Sequence, residues 1–255
     1  MLNVLLERFR QGYRTIPYPD VPPVLPDRLR GLPTLDFSLC EESCQKCFVV
    51  CPTKALSKDE QGTFMDLGKC LFCGECEKVC PNGCIKFTSE YRLSVRKREN
   101  LIFRGEHLQR AEPLEESMKS IFSHSFKIRQ VSASGCNACE ADINVLGTPG
   151  FDLGRFGIQV VASPRHADAI MITGPVSRNM QLALEKTYFS VPTPRFVIAS
   201  GACAINGGPF IGLPDVNNGV AGGSLKVDLF IPGCPPHPMT ILDGLLRFLG
   251  RLKQN

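Results

Sequence analysis

Two cysteine runs, CEESCQKCFVVCP (40–52) and CLFCGECEKVCP (70–81), follow one another near the start of the chain. The second run has the spacing C-x2-C-x2-C-x3-C-P, in which three thiolates surround one cluster of iron and sulfide and the fourth ligand comes from the other run. The cysteines of the first run precede their counterparts by 29 or 30 residues, so the runs are two copies of one unit. The pattern predicts a small domain that holds two [4Fe-4S] clusters.

Exchange of the fourth ligand divides these eight cysteines into two groups. The first set is Cys40, Cys44, Cys47 and Cys80, and the second set is Cys70, Cys73, Cys76 and Cys51. Zinc knuckles would explain the C-x2-C pairs, but they leave the third cysteine of each run and both C-P endings unexplained. The first run has one residue more between Cys40 and Cys44, which leaves open whether Cys40 is a ligand. Cys84 lies outside both patterns and is interpreted as a small buried thiol.

The composition is that of a globular protein with an unusual number of cysteines. The 255 residues are 43% apolar and include 13 cysteines. No apolar run approaches the ~18 residues of a membrane helix, and no signal peptide opens the chain. We therefore expect a cytoplasmic protein whose cysteines are reduced or bound to metal. The net charge of +4 is mild and the basic stretch 86–110 has few aromatic residues, so no nucleic-acid partner is expected.

The cysteine runs lie within a chain of four parts. These are a proline-rich strap at 1–39, the α+β ferredoxin-like two-cluster domain at 40–88, a charged linker at 89–125 and a last domain at 126–255. A short amphipathic helix is predicted at 2–9, and the prolines after it predict an extended backbone. In the linker, SEYRLSVRKRENL predicts a strand and EPLEESMKSIF a helix, and no core is expected there.

The last domain alternates apolar strands with helices. Strands are predicted at FKIRQV (126–131), GIQVVAS (157–163), DAIMITG (168–174), RFVIAS (195–200) and VDLFIPG (227–233), and helices at NMQLALEKTYF (179–189) and MTILDGLLRFLGRL (239–252). This order predicts an α/β domain of flavodoxin-like type with a mostly parallel sheet.

Four further cysteines follow strands of this domain. The third set is Cys136, Cys139, Cys203 and Cys234. Its members lie just beyond the carboxyl ends of strands, the edge where open α/β sheets build their sites. Glycines and prolines surround them in SGCNAC, SGACAINGG and PGCPPHP, which suits backbone held close to a cluster. The placement predicts a third [4Fe-4S] cluster at this edge.

The sequence resembles two neighbouring subunits of one kind of electron-transfer complex. The last domain resembles the small subunit of energy-converting group 4 [NiFe] hydrogenases and formate hydrogenlyase, which is similar to the 20 kDa subunit of complex I. The resemblance rests on GCNACE (135–140), FDLGRFGIQVVASPRHAD (151–168), ITGPV (172–176), SGAC (200–203) and IPGCPPHP (231–238). Residues 1–105 resemble the two-cluster ferredoxin-like subunit of the same complexes through YPDVPPVLPDRLRGLP, LGKCLFCGECEKVCP and SEYRLSVRKREN. The chain looks like a fusion of both subunits.

This resemblance implies an oxidoreductase subunit that relays electrons through three [4Fe-4S] clusters held by the three cysteine sets. The electrons would pass between a donor and the [NiFe] site of a partner large subunit, similar to the complex I 49 kDa subunit. Membrane-arm subunits and an electron-donor protein or formate dehydrogenase module are further implied partners. The implied location is peripheral, on the inner face of the cell membrane.

Two other functions stay open. The first is a complex I-type module that passes electrons to quinone, or a hydrogenase-related complex without nickel. GCNACE argues against complex I, whose small subunits carry adjacent cysteines here, whereas Cys136 and Cys139 are two residues apart. The second is a scaffold in which clusters serve only stability.

Three residues near the third set are candidates for further roles. The resemblance implies that Glu140 moves protons toward the active site, although an acid in a first helical turn also complements the helix dipole. Arg165 and His166 are predicted to donate hydrogen bonds around the third cluster and raise its potential. A turn held by surface charges would equally explain His166.

Overall fold

The computed structural model describes residues 2–41, 43–105, 107–223 and 225–252. Its α-helices are α1 Leu2–Gln11, α2 Lys46–Val50, α3 Glu75–Val79, α4 Glu116–Ile121, α5 Ala138–Val145, α6 Arg178–Ser190, α7 Ala202–Asn206 and α8 Pro238–Phe248. Its strands are β1 Pro33–Leu35, β2 Leu56–Asp59, β3 Gly62–Asp66, β4 Ile85–Phe87, β5 Ile102–Phe103, β6 Phe126–Ser132, β7 Ile158–Val160, β8 Ala169–Thr173, β9 Phe196–Ser200 and β10 Leu229–Ile231.

The ferredoxin-like part is α+β, as predicted, and repeats one short helix. α2 and α3 each begin inside a cysteine run and span five residues. Pro52 and Pro81 end them, because a proline forces the residue before it into extended backbone. Accordingly Cys51 has φ −75° and ψ 111°, and Cys80 has φ −77° and ψ 110°. Antiparallel strands complete this part in the orders β2-β3-β5 and β1-β4.

Residues 89–125 contain buried apolar side chains, which corrects the expectation of a linker without a core. Leu93, Leu101 and Phe103 are buried, and β5 pairs with β3 in the ferredoxin-like sheet. The predicted helix in EPLEESMKSIF is confirmed as α4.

The strand predicted in SEYRLSVRKRENL is wrong. Only Val95 of this segment is in β-structure, through one isolated bridge with Phe230. Leu93 and Val95 alternate with polar residues, but Ser94 between them is buried as well, so the alternation does not mark the two faces of a strand. The Arg96 side chain, one residue further on, donates a hydrogen bond to the carbonyl of Pro113.

The last domain is confirmed as α/β with a parallel sheet. Its strand order is β10-β9-β8-β6-β7, and all four pairings are parallel. Counted within this domain, the order is that of flavodoxin-like folds. All residues of β8 and β9 are buried, as expected for central strands covered on both faces. The carboxyl ends of β6, β9 and β10 meet at one edge of the sheet.

The two faces of this sheet pack against different partners. One face, with Phe126 and Met171, packs on α8 through Phe248. The other face, with Ile172 and Ala199, shares a core with Leu67 and Leu101 of the ferredoxin-like part. The shared core fixes the cysteine runs next to the carboxyl edge of the sheet.

The proline-rich strap lies across the last domain. Residues 12–32, all of which the structure describes, contain turns but no helix or strand. The Tyr18 hydroxyl is buried and donates to Asp243 Oδ1 at 2.8 Å, and the amide of Ile16 donates to the carbonyl of Gly150 at 2.9 Å. The helix predicted at 2–9 is confirmed as α1, and its apolar residues Val4, Leu5, Leu6 and Phe9 are exposed.

No helix among the described residues is both long enough and apolar enough to cross a membrane.

We expect Tyr18→Phe to loosen the strap, because Asp243 Oδ1 is then buried without its donor. The free energy of strap opening should fall by about 1–3 kcal/mol. Native-state hydrogen exchange at the amide of Ile16 measures this change. Tyr13→Phe is the matched control, since the Tyr13 side chain is 88% exposed. Equal exchange in the two variants would contradict the role of the hydroxyl.

Candidate metal centres

The first set of cysteines comes together from both runs. Burial raises the pKa of the Cys47 thiol, and the charges of Cys40, Cys80 and Cys44 raise this pKa further. Cys80 reaches this group because its extended backbone turns it away from its own helix α3. The four residues whose charges interact here are those that the spacing placed in the first set.

The second set is assembled in the same way. Burial raises the pKa of Cys70 far above its usual range; the amide of Phe72 opposes this, and the charges of Cys76, Cys51 and Cys73 add to it. These four cysteines all line one pocket with apolar walls that include Met65 and Phe87.

Backbone amides point at sulfur atoms in both sets. The Phe72 amide donates to Cys70 Sγ at 3.3 Å, and the Ala55 amide donates to Cys51 Sγ at 3.2 Å. The Cys84 amide donates to Cys80 Sγ, also at 3.2 Å. Such donors stabilise negative charge on sulfur, whether it is a thiolate or a cluster ligand.

Two residues beside these sets have neighbours that the sequence did not predict. Cys84 is buried, as expected, and burial together with the neighbouring Cys80 and Cys40 raises the pKa of its thiol. Comparing the two repeats residue by residue would have found it, because Ala55 holds the equivalent place in the first repeat. Arg30 of the strap lies against the cysteine loop, since a Cβ on Gly74 would come within 2.7 Å of its Nε. No local sequence pattern connects the strap with that loop.

The third set lies at the carboxyl edge of the parallel sheet. Cys136 follows β6, Cys203 is the second residue of α7 after β9, and Cys234 follows β10. Burial raises the pKa of Cys139 far above its usual range, and the charges of Glu140 and the other three cysteines act in the same direction. The sheet topology therefore brings together the four residues that the sequence placed in this set.

Glycines keep space open beside these sulfur atoms. A Cβ on Gly201, which has φ +92°, would lie 2.7 Å from Cys139 Sγ. A Cβ on Gly208 would lie 2.8 Å from Cys203 Sγ. Any larger residue at either position would fill the volume beside a sulfur.

Glu140 is buried in the first turn of α5 and is held by two hydroxyls. Its Oε1 accepts hydrogen bonds from Ser132 Oγ at 2.7 Å and from Thr173 Oγ1 at 2.6 Å. Burial raises the pKa of Glu140, but the hydroxyls of Thr173 and Ser132 outweigh it, and the net shift is downward. Glu140 is therefore ionised at neutral pH, and its charge raises the pKa of Cys139.

Arg165 and His166 lie in a 3-10 turn between β7 and β8, and both are exposed. The end of β7 and the start of β8 both pair with Ile128, near the start of β6. The third set instead follows the carboxyl ends of β6, β9 and β10. Neither residue is among the groups that shift the pKa of Cys203 or Cys234. A role for them beside the third set remains a prediction.

The three sets are neighbours in a row. Burial and the charge of Cys73 are the main causes that raise the pKa of Cys76, and Cys47 of the first set contributes to the same shift. Burial also raises the pKa of Cys234, with contributions from Cys136 and from Cys73 of the second set. The second set thus lies between the other two.

The donor chemistry of the three sets suits iron–sulfur clusters. Each set offers four thiols that would repel one another as thiolates, so their deprotonation favours a bound cationic group, and coordination deprotonates a thiol outright. Within the described residues, no group of three or more histidine, cysteine or acidic side chains converges closely enough to hold a single metal ion. A cubane separates its ligands more widely than one ion does. The glycine-lined space, the inward amides and the four-cysteine pocket all fit such a group.

Comparisons with known proteins agree with this architecture. Residues 39–84 match the model of the 4Fe-4S dicluster domain, and residues 136–248 match that of the NADH ubiquinone oxidoreductase, 20 Kd subunit. A probable membrane-bound hydrogenase subunit mbhJ from Pyrococcus furiosus is 40% identical over 122 residues, which are 48% of this chain and 72% of the relative.

Two further relatives match over a smaller share of their length. Formate hydrogenlyase subunit 7 from Escherichia coli is 40% identical over 55% of this chain and 55% of the relative. A subunit of the NADH-quinone oxidoreductase from Bacteroides thetaiotaomicron is 40% identical over 48% of this chain and 60% of the relative. The chain joins a ferredoxin-like [4Fe-4S] domain to a second domain, and through that second domain it belongs to the family of the 20 kDa subunit of NADH ubiquinone oxidoreductase.

Proposed function

We propose that this chain is an electron-transfer subunit with three [4Fe-4S] clusters. It relays electrons between a donor and the [NiFe] site of a partner large subunit, in a membrane-associated hydrogenase or formate hydrogenlyase complex. The observation that carries the proposal is the row of three four-cysteine sets, with Cys47 near Cys76 and Cys73 near Cys234. A scaffold needs no such row.

In this proposal the ligands are the three cysteine sets defined above. When bound, the clusters supply one-electron chemistry at potentials that their surroundings adjust. The residues of the chain hold the sites close together, line the second set with apolar side chains and direct amides at sulfur. Arg165 and His166 are proposed to add hydrogen bonds around the third set.

The proposed partners follow from the position of the third set. Cys136 and Cys234 are exposed, so the carboxyl edge of the sheet is open to the large subunit that would hold the catalytic metal. We further propose membrane-arm subunits and an electron-donor protein or formate dehydrogenase module as partners. The complex would lie on the inner face of the cell membrane, with this chain peripheral to it.

A second candidate is a complex I-type module that passes electrons to quinone. The chain is 40% identical to each of the hydrogenase, formate hydrogenlyase and NADH-quinone oxidoreductase relatives. Sequence identity therefore favours the second candidate as much as the first. The spacing of Cys136 and Cys139 favours the hydrogenase side, because the resemblance places adjacent cysteines in complex I.

Elemental analysis of the native complex, isolated without oxygen through a tag on this chain, tests the proposal. We expect nickel in an amount comparable to the chain and about twelve iron atoms attributable to it, four for each cluster. Iron without nickel would favour the second candidate. Zinc in place of iron would contradict electron transfer by this chain.

We expect Gly201→Ala to reduce the iron content of the chain by about four atoms, the content of one cluster. The added Cβ would lie 2.7 Å from Cys139 Sγ. Gly212→Ala is the matched control, because Gly212 has a similar φ of +80° but nothing within 4 Å of the added Cβ. Both changes strain the backbone, and only the first fills the site. Equal iron content in the two variants would show that no cluster needs this space.

We expect Glu140→Gln to leave the iron content unchanged and to slow proton-coupled turnover by about 10²-fold. Glu116→Gln is the control for the helix dipole, since Glu116 also lies in a first helical turn and its side chain is 87% exposed. Unchanged turnover in Glu140→Gln, with only its stability altered, would contradict a role in proton movement.

The stability of the wild type should also depend on pH through Glu140. Its pKa is lower in the folded chain than in the unfolded chain, so the ionised carboxylate stabilises the fold above the unfolded value of about 4.3. This contribution is lost as pH falls through the lower folded value. The difference in unfolding free energy between wild type and Glu140→Gln should therefore shrink below about pH 4, as measured by chemical denaturation.

A further inference from the structure

The second cysteine run begins with a turn that Asp66 organises. Asp66 ends β3, and its Oδ1 accepts a hydrogen bond from the amide of Gly68 at 2.9 Å. Its carbonyl accepts hydrogen bonds from the amides of Lys69 and Cys70, both at 3.0 Å. Aspartate commonly stabilises such a turn by accepting from the amide two residues further on. The position of Cys70 in the second set therefore depends on Asp66.

The first cysteine run begins with a similar turn in a different environment. Asp36 precedes Cys40 by the same four residues that separate Asp66 from Cys70, and Asp36 Oδ1 accepts from the amide of Ser38 at 3.1 Å. Asp36 is exposed, whereas the side chain of Asp66 is only 6% exposed. Water stabilises the carboxylate of Asp36, but the buried carboxylate of Asp66 needs a partner within the protein.

Arg98 is the partner of the Asp66 carboxylate. Its Nη2 donates to Asp66 Oδ2 at 2.6 Å. Its Nη1 is buried, and no residue that the structure describes accepts a hydrogen bond from it. A buried ion pair is weak evidence for a gain in stability, because the desolvation of both charges offsets their attraction. An unpartnered buried donor adds to the cost. These costs favour a positioning role for Arg98 over a purely stabilising one.

The turn is also packed closely between Arg98 and the last domain. A Cβ on Gly68 would lie 3.0 Å from Arg98 Cζ and 2.9 Å from Ile205 Cγ2. Ile205 follows Cys203 by two residues in α7, so the turn before Cys70 touches the helix that carries a cysteine of the third set. Arg98 thus contacts the turn through its guanidinium both by an ion pair and by packing.

We propose that Arg98 is a positioning residue, which acts through Asp66 to fix the turn that presents Cys70 and so holds the second cluster in place. The proposal rests on the proposed cluster ligands. Side chains that orient a ligand without touching the metal are an established means of tightening a metal site. Arg98 would serve the second set only, since Asp36 needs no such partner.

The native complex, isolated without oxygen and exposed to an iron chelator, allows a direct test. In Arg98→Met we expect about four iron atoms of the chain to be released about tenfold faster than in the wild type, and the other eight or so at the wild-type rate. Arg98→Lys should restore much of the slow release, because it keeps a cation for Asp66 Oδ2 but lacks the planar fork of arginine.

Arg104→Met is the matched control. Arg104 pairs with Asp59 at the same distance of 2.6 Å, but the Asp59 side chain is 44% exposed and precedes no cysteine run. Equal release in Arg98→Met and Arg104→Met would overturn the proposal. Faster release of all the iron at one rate would also overturn it, because the pair would then support the whole fold and not one site.

Asp66→Asn decides the matter if Arg98→Met fails to fold. It keeps an oxygen for the amide of Gly68 but removes the charge that binds Arg98. The same four or so iron atoms should again be released faster, and an unchanged rate would contradict the proposal. A wild-type complex without iron in this chain would instead refute the proposed function itself.

Discussion

Apolar side chains of the ferredoxin-like part and of one face of the parallel sheet pack into a single core, and the spacing of the three cysteine sets depends on this packing. Val95 and Phe230 exchange two backbone hydrogen bonds across the boundary, of 3.0 and 2.8 Å. Gly68 allows the parts to approach closely, since a Cβ there would lie 2.9 Å from the side chain of Ile205. Close-packed interiors resist such displacements, so the second and third sets are held as neighbours by the interior of the protein.

In the cysteine sets, burial opposes the negative charge that the cysteines carry as thiolates. Cys70 and Cys139 are deeply buried and surrounded by other thiols, which raises the pKa of both far above the usual range. Such groups are stable as ligands only beside a cationic partner, and the amides that point at Cys51, Cys70 and Cys80 supply part of that compensation. The glycine at position 201 then leaves room where a side chain would otherwise fill the site.

Much of this arrangement could be predicted from the sequence because its signals are local. The C-x2-C spacing and the prolines after Cys51 and Cys80 predicted the grouping of eight cysteines, and the apolar strands predicted the edge where the other four meet. The contact of Tyr18 with Asp243 could not be predicted, because it joins residues 225 positions apart without any shared pattern. Leu93 and Val95 misled the prediction, since apolar residues at alternate positions are typical of a strand, whereas here the polar Ser94 between them is buried as well.

The same long-range contacts set an order for the synthesis of the protein. All eight cysteines of the ferredoxin-like part emerge from the ribosome before the strand that carries Phe230 and the helix that carries Asp243. Until the strand with Phe230 is synthesised, one side of the core that the ferredoxin-like part shares with the sheet stays uncovered. Until the helix with Asp243 is synthesised, the Tyr18 hydroxyl of the strap lacks its acceptor. The nascent chain therefore exposes its first two cysteine sets to solvent, and to whatever delivers or removes iron, before the fold that shields them can close.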